Sequence, residues 1–126
     1  MDKNIYIVNG KNVNGIFTFI EEDEIVGENQ KFLKLYNKIS PFYNISQRLF
    51  YKLKFGGEKH FRNEFLKYIK INDNDLVLET SVGTADNFRF LNKKAKYFGA
   101  DISTGMLKMA LKHIKKWKIN AEFNVT

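Results

Sequence analysis

Three features in the second half of the chain have residue types and spacing that could do chemistry together: Glu79, the run Ser81-Val82-Gly83-Thr84-Ala85, and Asp101. Leu76-Val77-Leu78 precedes the run and is a short apolar segment suited to a buried strand, as is Tyr97-Phe98-Gly99-Ala100 before Asp101. A loop between a buried strand and a helix lies at the carboxyl end of a parallel sheet, where such folds bind ligands. Small side chains let the backbone approach a ligand closely, and Gly83 reaches torsions closed to other residues. Asp101 ends the next strand, at the depth where a carboxylate accepts hydrogen bonds from ribose hydroxyls. The constellation favours an adenosine-containing cofactor.

The sign of the local charge narrows the choice. A dinucleotide loop reads G-x-G-x-x-G and places a pyrophosphate on the helix that follows. Aligned on Gly83, the first glycine becomes Ser81 and the third becomes Asp86. A carboxylate at a helix start complements the helix dipole itself and repels a diphosphate. Glu79 adds negative potential, and the Gly-Lys-Ser/Thr of a P-loop is absent from the loop. S-adenosyl-L-methionine carries no phosphate and brings a sulfonium and an ammonium, which an acidic loop attracts. Catalysis by methyl transfer needs proximity and in-line orientation more than an acid–base pair, so no catalytic side chain is assigned. His60 and His113 fall in predicted helices without a neighbouring second ligand, and the chain has no cysteine, so no metal site is expected.

Val77-Leu78-Glu79-Thr80-Ser81-Val82-Gly83-Thr84-Ala85 resembles motif I of class I S-adenosylmethionine-dependent methyltransferases, commonly V-L-E-x-G-x-G-T-G. Phe98-Gly99-Ala100-Asp101-Ile102-Ser103-Thr104-Gly105-Met106-Leu107 is similar to their next motif, G-x-D-x-S-x-x-M-L. Upstream, Tyr36-Asn37-Lys38-Ile39-Ser40-Pro41-Phe42-Tyr43-Asn44 resembles the Y-D-x-x-A-x-x-Y-D segment of the ubiquinone/menaquinone-biosynthesis methyltransferase-like group. The resemblance implies that Glu79 and the backbone of Ser81, Gly83, Thr84 and Ala85 face the methionine part of the cofactor. It implies that Asp101 holds the ribose, that Ile102 and Met106 lie near the adenine, and that Tyr36 and Tyr43 sit on a helical lid. Ser81 and Ala85 stand where the motif has glycines, and Asn37 and Asn44 where it has aspartates. The family continues for four more strands beyond the third. The expected fold is therefore α/β and Rossmann-like, truncated after about the third strand, and the 126-residue chain alone is expected to be inactive.

The elements that must position these residues follow from periodicity. Residues 4–20 read as an extended hairpin, with Asn9-Gly10 and Asn14-Gly15 both offering a two-residue turn. Phe32, Leu35, Tyr36 and Ile39 predict a helix over 29–39, which Pro41 is expected to break. A second helix is predicted over 43–54, ended by Gly56-Gly57, and a third from Glu58 to Ile69. A helix is expected from about Asp86 with Phe88 and Leu91 inward, and another from Ser103 to Lys118 with Leu107, Ala110, Leu111, Ile114 and Trp117 as its apolar stripe. Ala121–Val125 reads as a third strand. Three segments result: a hairpin extension over 1–28, a helical lid over 29–70, and the first half of a cofactor-binding domain over 71–126.

Composition sets the outer bounds. With 126 residues, 44% hydrophobic, the chain supports one folded unit with its own core. It has no apolar run long enough for a membrane span and no signal-like N-terminus, so a cytoplasmic protein without a membrane partner is expected. The net charge of +7 is blocked: residues 31–70 hold ten basic and two acidic side chains, while 71–88 hold four acidic and no basic ones. The basic residues fall on polar helix faces, and the acidic block carries the site-like sequence. The reading is a methyltransferase fragment acting on a small-molecule acceptor. Its rivals are a non-catalytic S-adenosylmethionine-binding or interaction protein, and a basic nucleic-acid-binding module or RNA methyltransferase relative. The strand Leu76–Thr80 is expected to have one open edge, which would pair with a second copy as a homodimer, be covered by the N-terminal hairpin, or drive aggregation.

Overall fold

The structure is a computed structural model and describes residues 10–126. The predicted extended stretch over 4–9, with the first residue of Asn9-Gly10, lies outside the described residues. Strand β1 (Lys11–Val13) and strand β2 (Ile16–Thr18) form an antiparallel hairpin with Val13 opposite Ile16. The turn is Asn14-Gly15, both at positive φ (54° and 89°), as a right-twisting two-residue hairpin turn requires.

Helix α1 (Glu28–Phe55) runs straight through Pro41, correcting the two helices expected on either side of it. Proline lacks the N–H that would bond the carbonyl of Asn37 four residues back. The Ser40 hydroxyl donates to that carbonyl instead, at 3.2 Å, so the gap in the ladder is filled from the neighbouring residue. Gly56 closes the helix in the left-handed conformation, its N–H donating to the Tyr51 carbonyl. Helix α2 (Glu58–Leu66) then packs back on α1 through Phe61, whose ring centroid lies 4.8 Å from that of Tyr51 and 4.7 Å from that of Phe55. It ends before the expected Ile69, in a turn.

Strands β3 (Leu76–Thr80), β4 (Lys96–Asp101) and β5 (Ala121–Val125) pair in parallel, with helix α3 (Thr104–Trp117) crossing between the last two. The helix predicted after Asp86 is a single 3-10 turn, Phe88–Phe90, a correction with a packing cause. Phe88 is fully buried with its ring 4.5 Å from Tyr97 and nearly parallel to Phe123. Holding that ring in the core leaves too few residues before β4 for a longer helix. The core is the layer between this face of the sheet and α3, with Leu107, Ala110 and Ile114 of α3 against Tyr97, Phe123 and Val125.

The sheet order is β1-β2-β5-β4-β3. The hairpin therefore joins the sheet at β5, where β2 runs parallel to it with Ile16 opposite Phe123. It does not cover the edge of β3, as one of the expectations had it. Ile16 is buried against the core and the Phe19 N–H donates to the Val125 carbonyl, which favours the β5 edge. On β3, expected as a buried strand, Leu76 and Leu78 are instead about half exposed, because β3 is the edge of the sheet among the described residues. No helix among the described residues is long and apolar enough to cross a membrane.

Candidate functional site

The carboxyl ends of β3 and β4 open onto a cavity of about 600 Å³. Its lining holds Tyr36 and Tyr43 from α1, Ser81 and Gly83 from the loop after β3, and Asp101, Ile102 and Met106 from the β4–α3 corner. These are seven of the ten predicted site residues. Phe32, Thr80 and Ala100 also line it and were not singled out from the sequence. Tyr36 and Tyr43, two helical turns apart, meet edge to face with centroids 6.5 Å apart, and Phe32 stacks beside Tyr36 at 6.4 Å. The three rings make one aromatic wall. Burial raises the Tyr43 phenol above its ordinary range, and Gln47 Nε2 donates to its oxygen.

Asp101 joins the two loops. Its Oδ2 accepts the Gly83 N–H at 2.8 Å and its Oδ1 accepts the Ser103 N–H at 2.9 Å. A carboxylate has about four acceptor positions, so two remain for hydroxyls of a ligand in the cavity. The loop itself is wound through the left-handed region three times, at Ser81 (φ 53°), Gly83 (φ 56°) and Ala85 (φ 60°). Those are the three glycine positions of the aligned motif. Two of them carry a Cβ here, which costs roughly 1–2 kcal/mol each in that region. Ser81→Gly should therefore raise stability by about 1 kcal/mol, and Gly83→Ala should lower it by about the same. No atom lies within 4 Å of a Cβ built on Gly83, so the loss there is backbone strain alone. Thermal melts of the two variants check the opposite signs; a shift in the same direction would reject the assignment of strain.

Glu79, Thr84 and Ala85 do not line the cavity. Ala85 and Thr84 are buried behind it. Glu79 Oε1 accepts from Asn87 Nδ2 at 2.6 Å, and Asn87 Oδ1 accepts in turn from Arg62 on α2. Glu58 binds that arginine and Arg89 together, at 2.8 and 2.7 Å. The network moors α2 to the loop. Burial raises the Glu79 carboxyl above its ordinary range, against the opposing pulls of the Asn87 hydrogen bond and the Arg62 charge. Among the described residues no three potential ligands cluster as a metal site, and His60 is exposed on α2.

Sequence reasoning marked the two asparagines of α1 as departures from the motif and gave them no role. Asn37 Oδ1 accepts from Ser103 Oγ at 2.7 Å and from the Gly105 N–H at 2.9 Å, while Ser103 Oγ accepts the Met106 N–H as the cap of α3. Gly105 is where the helices touch: a Cβ there would lie 2.9 Å from Asn37 Cα and Ser40 Oγ. Asn44 reaches Thr84 and His113. The readable signal was the repeat of Tyr-Asn at 36–37 and 43–44. A spacing of seven puts both tyrosines on one face of a helix and both asparagines on the face beside it.

A parallel β3–β4–β5 order, a small-residue loop at its carboxyl edge and an acid ending the second strand agree with the sequence motifs in type and place. Over β3 to β5 the chain resembles the cofactor-binding part of class I methyltransferases. No family model and no curated protein matches it. Solved structures to which the chain is similar over part of its length include the MccD protein, at 27% identity over 56% of this chain and 32% of that one, with a TM-score of 0.45. A protein from Pyrococcus horikoshii OT3 is 30% identical over 52% of this chain and 30% of its own length, with a TM-score of 0.41. A protein-L-isoaspartate O-methyltransferase is 19% identical over 53% of this chain and 23% of its own, with a TM-score of 0.43. The chain thus spans about a third or less of the length of these proteins. The functional reading rests on its own residues.

Proposed function

We propose that the cavity is the binding site for S-adenosyl-L-methionine and that the chain is the cofactor-binding part of a methyltransferase acting on a small-molecule acceptor. The observation that carries this reading is Asp101, fixed at the mouth between two loops with acceptor positions to spare. The other lining residues fit the same group: among those described there is no lysine or arginine to meet a phosphate, and the aromatic wall of Phe32, Tyr36 and Tyr43 suits a cationic sulfonium. When bound, the cofactor would supply an electrophilic methyl group, whose carbon the acceptor attacks in line while the thioether sulfur leaves with the electron pair of the broken bond. The chain's residues bind and orient: Asp101 accepts from the ribose hydroxyls, Ile102 and Met106 flank the base, and the Ser81–Gly83 backbone lets the ligand approach. Tyr36 and Tyr43 limit the access of water from the helical side.

Calorimetry or ligand-observed NMR with S-adenosylhomocysteine, and with ADP as an anionic comparator, tests the reading on the chain as it stands. S-adenosylhomocysteine is expected to bind and ADP to be excluded. Preference for ADP, or no binding of either nucleoside, would reject it.

A further inference from the structure

Helix α1 supplies a third of the residues that line the cavity, Asn29, Phe32, Tyr36 and Tyr43, and a ring of partly buried polar groups at Asn44 holds it to the motif loop and to α3. His113 Nδ1 lies 2.9 Å from the Thr84 carbonyl, which can only accept, so Nδ1 bears a proton. In the neutral imidazole Nε2 is then an acceptor, and Asn44 Nδ2 donates to it at 2.9 Å. Asn44 Oδ1 is left facing the Thr84 hydroxyl at 3.0 Å, a hydroxyl shared with Asp86 Oδ2 at 2.5 Å. The groups facing the imidazole are Asn44 from α1, Thr84 and Asp86 from the loop, with the Asp86 carboxylate 3.8 Å from Nδ1, and the Trp117 ring from α3 itself. If His113 gains a proton, Nε2 becomes a donor and meets the amide N–H₂. A rotation of the Asn44 amide by 180° repairs this: Oδ1 then accepts from Nε2, Nδ2 donates to Thr84 Oγ1, and the Thr84 hydroxyl donates its one hydrogen bond to Asp86 Oδ2. An amide thus serves both protonation states of the histidine. A carboxylate at the same place serves only one.

We propose that Asn44 and His113 form a latch that positions the Tyr36–Tyr43 wall, and that the asparagine makes this latch independent of pH. Asn37, by contrast, uses only its oxygen as an acceptor from Ser103 and Gly105, so an aspartate would do its work at any pH. The aligned motif has aspartate at both places, and the structure distinguishes them. The purpose of the latch rests on the cavity being the ligand site; the tests below use no ligand, so either idea can fail alone.

Trp117 is the only tryptophan in the chain, and its ring centroid lies 4.6 Å from that of His113, where an imidazolium quenches its fluorescence. Fluorescence is followed against pH for the unsubstituted chain, Asn37→Asp and Asn44→Asp. The Asn44→Asp transition is expected at higher pH by about one unit or more, because the new carboxylate favours the charged ring. Its thermal stability should approach that of the unsubstituted chain below this transition. It should fall as pH rises through it, the sign expected when the folded state binds the proton more tightly than the unfolded one. Asn37→Asp should titrate like the unsubstituted chain. Coincident curves for all three, or equal shifts for both aspartates, would overturn the proposal. Should Asn44→Asp not fold at any pH, ¹⁵N imidazole shifts of the unsubstituted chain decide the matter. Neutral His113 must be the Nδ1–H tautomer, and the Nε2–H tautomer rejects the latch.

Discussion

Gly99→Val should destabilise the chain by about 3 kcal/mol, the upper part of the range for overpacking a filled core. A Cβ at position 99 would lie 2.5 and 2.6 Å from two ring carbons of Phe123 and 2.9 Å from Val82 Cγ1. None of these can withdraw. Phe123 is fully buried, its ring held against Phe88, and Val82 belongs to the loop that bends back under Asp101. The bare backbone of Gly99 is therefore the space into which the β5 phenylalanine fits. Phe123→Ala alone should cost roughly 3–5 kcal/mol by leaving a cavity. The pair Gly99→Ala with Phe123→Leu should cost clearly less than the sum of its members, since the smaller side chain removes the clash. Urea midpoints for Gly99→Val, Phe123→Ala, and the unsubstituted, single and double members of that cycle measure this. A Gly99→Val loss below 1 kcal/mol would show that the strands separate easily and that the close approach does not matter.

That contact also shows where sequence reading stops. Gly99 could be read as a motif residue, but its reason lies in a ring 24 positions downstream on a neighbouring strand. Elements with a strong period were legible: the stripe of α3, the apolar runs of β3 and β4, and the third strand at β5 all stand where they were expected. The misreadings came where long-range contacts decide. Pro41 stays inside α1 because the Ser40 hydroxyl accepts the role of the lost donor, and Asn37, whose carbonyl is rescued, is itself fixed by α3. Phe88 is taken by the core, so a predicted helix shrinks to one turn. The hairpin had a free choice of sheet edge in the sequence, and the burial of Ile16 against Phe123 and its neighbours sent it to β5. At the site the structure brings the motif loop and Asp101 to one cavity, since backbone shape is local there. The Glu79 carboxylate turns to Asn87, which the α2 arginine holds in turn, an orientation set by residues the motif does not contain.

Asp101→Ala should weaken both the fold and the cavity, and Asp101→Asn should separate the two losses. Alanine removes both acceptors at once, leaving the Gly83 and Ser103 N–H groups without the bonds that join the β3 loop to the start of α3. Each bond to a charged acceptor contributes about 1.5–3 kcal/mol, so the alanine variant should lose about 3 kcal/mol of stability or more. Asparagine keeps one carbonyl oxygen and turns the other acceptor into a donor. It can hold one of the two loops but must present N–H₂ to the other N–H or to the cavity. Its stability should therefore fall by roughly half as much, while its affinity for S-adenosylhomocysteine should drop nearly as far as that of alanine. Ribose hydroxyls need an acceptor with lone pairs to spare, and the amide has fewer. Chemical denaturation and calorimetry on the same two variants give both quantities. If Asp101→Asn binds the ligand as tightly as the unsubstituted chain, the carboxylate is a strut between the loops and not a binding group. In that case the ligand's hydroxyls must be met elsewhere on the cavity wall, where Ser81 and Thr80 supply side-chain hydroxyls at the β3 end.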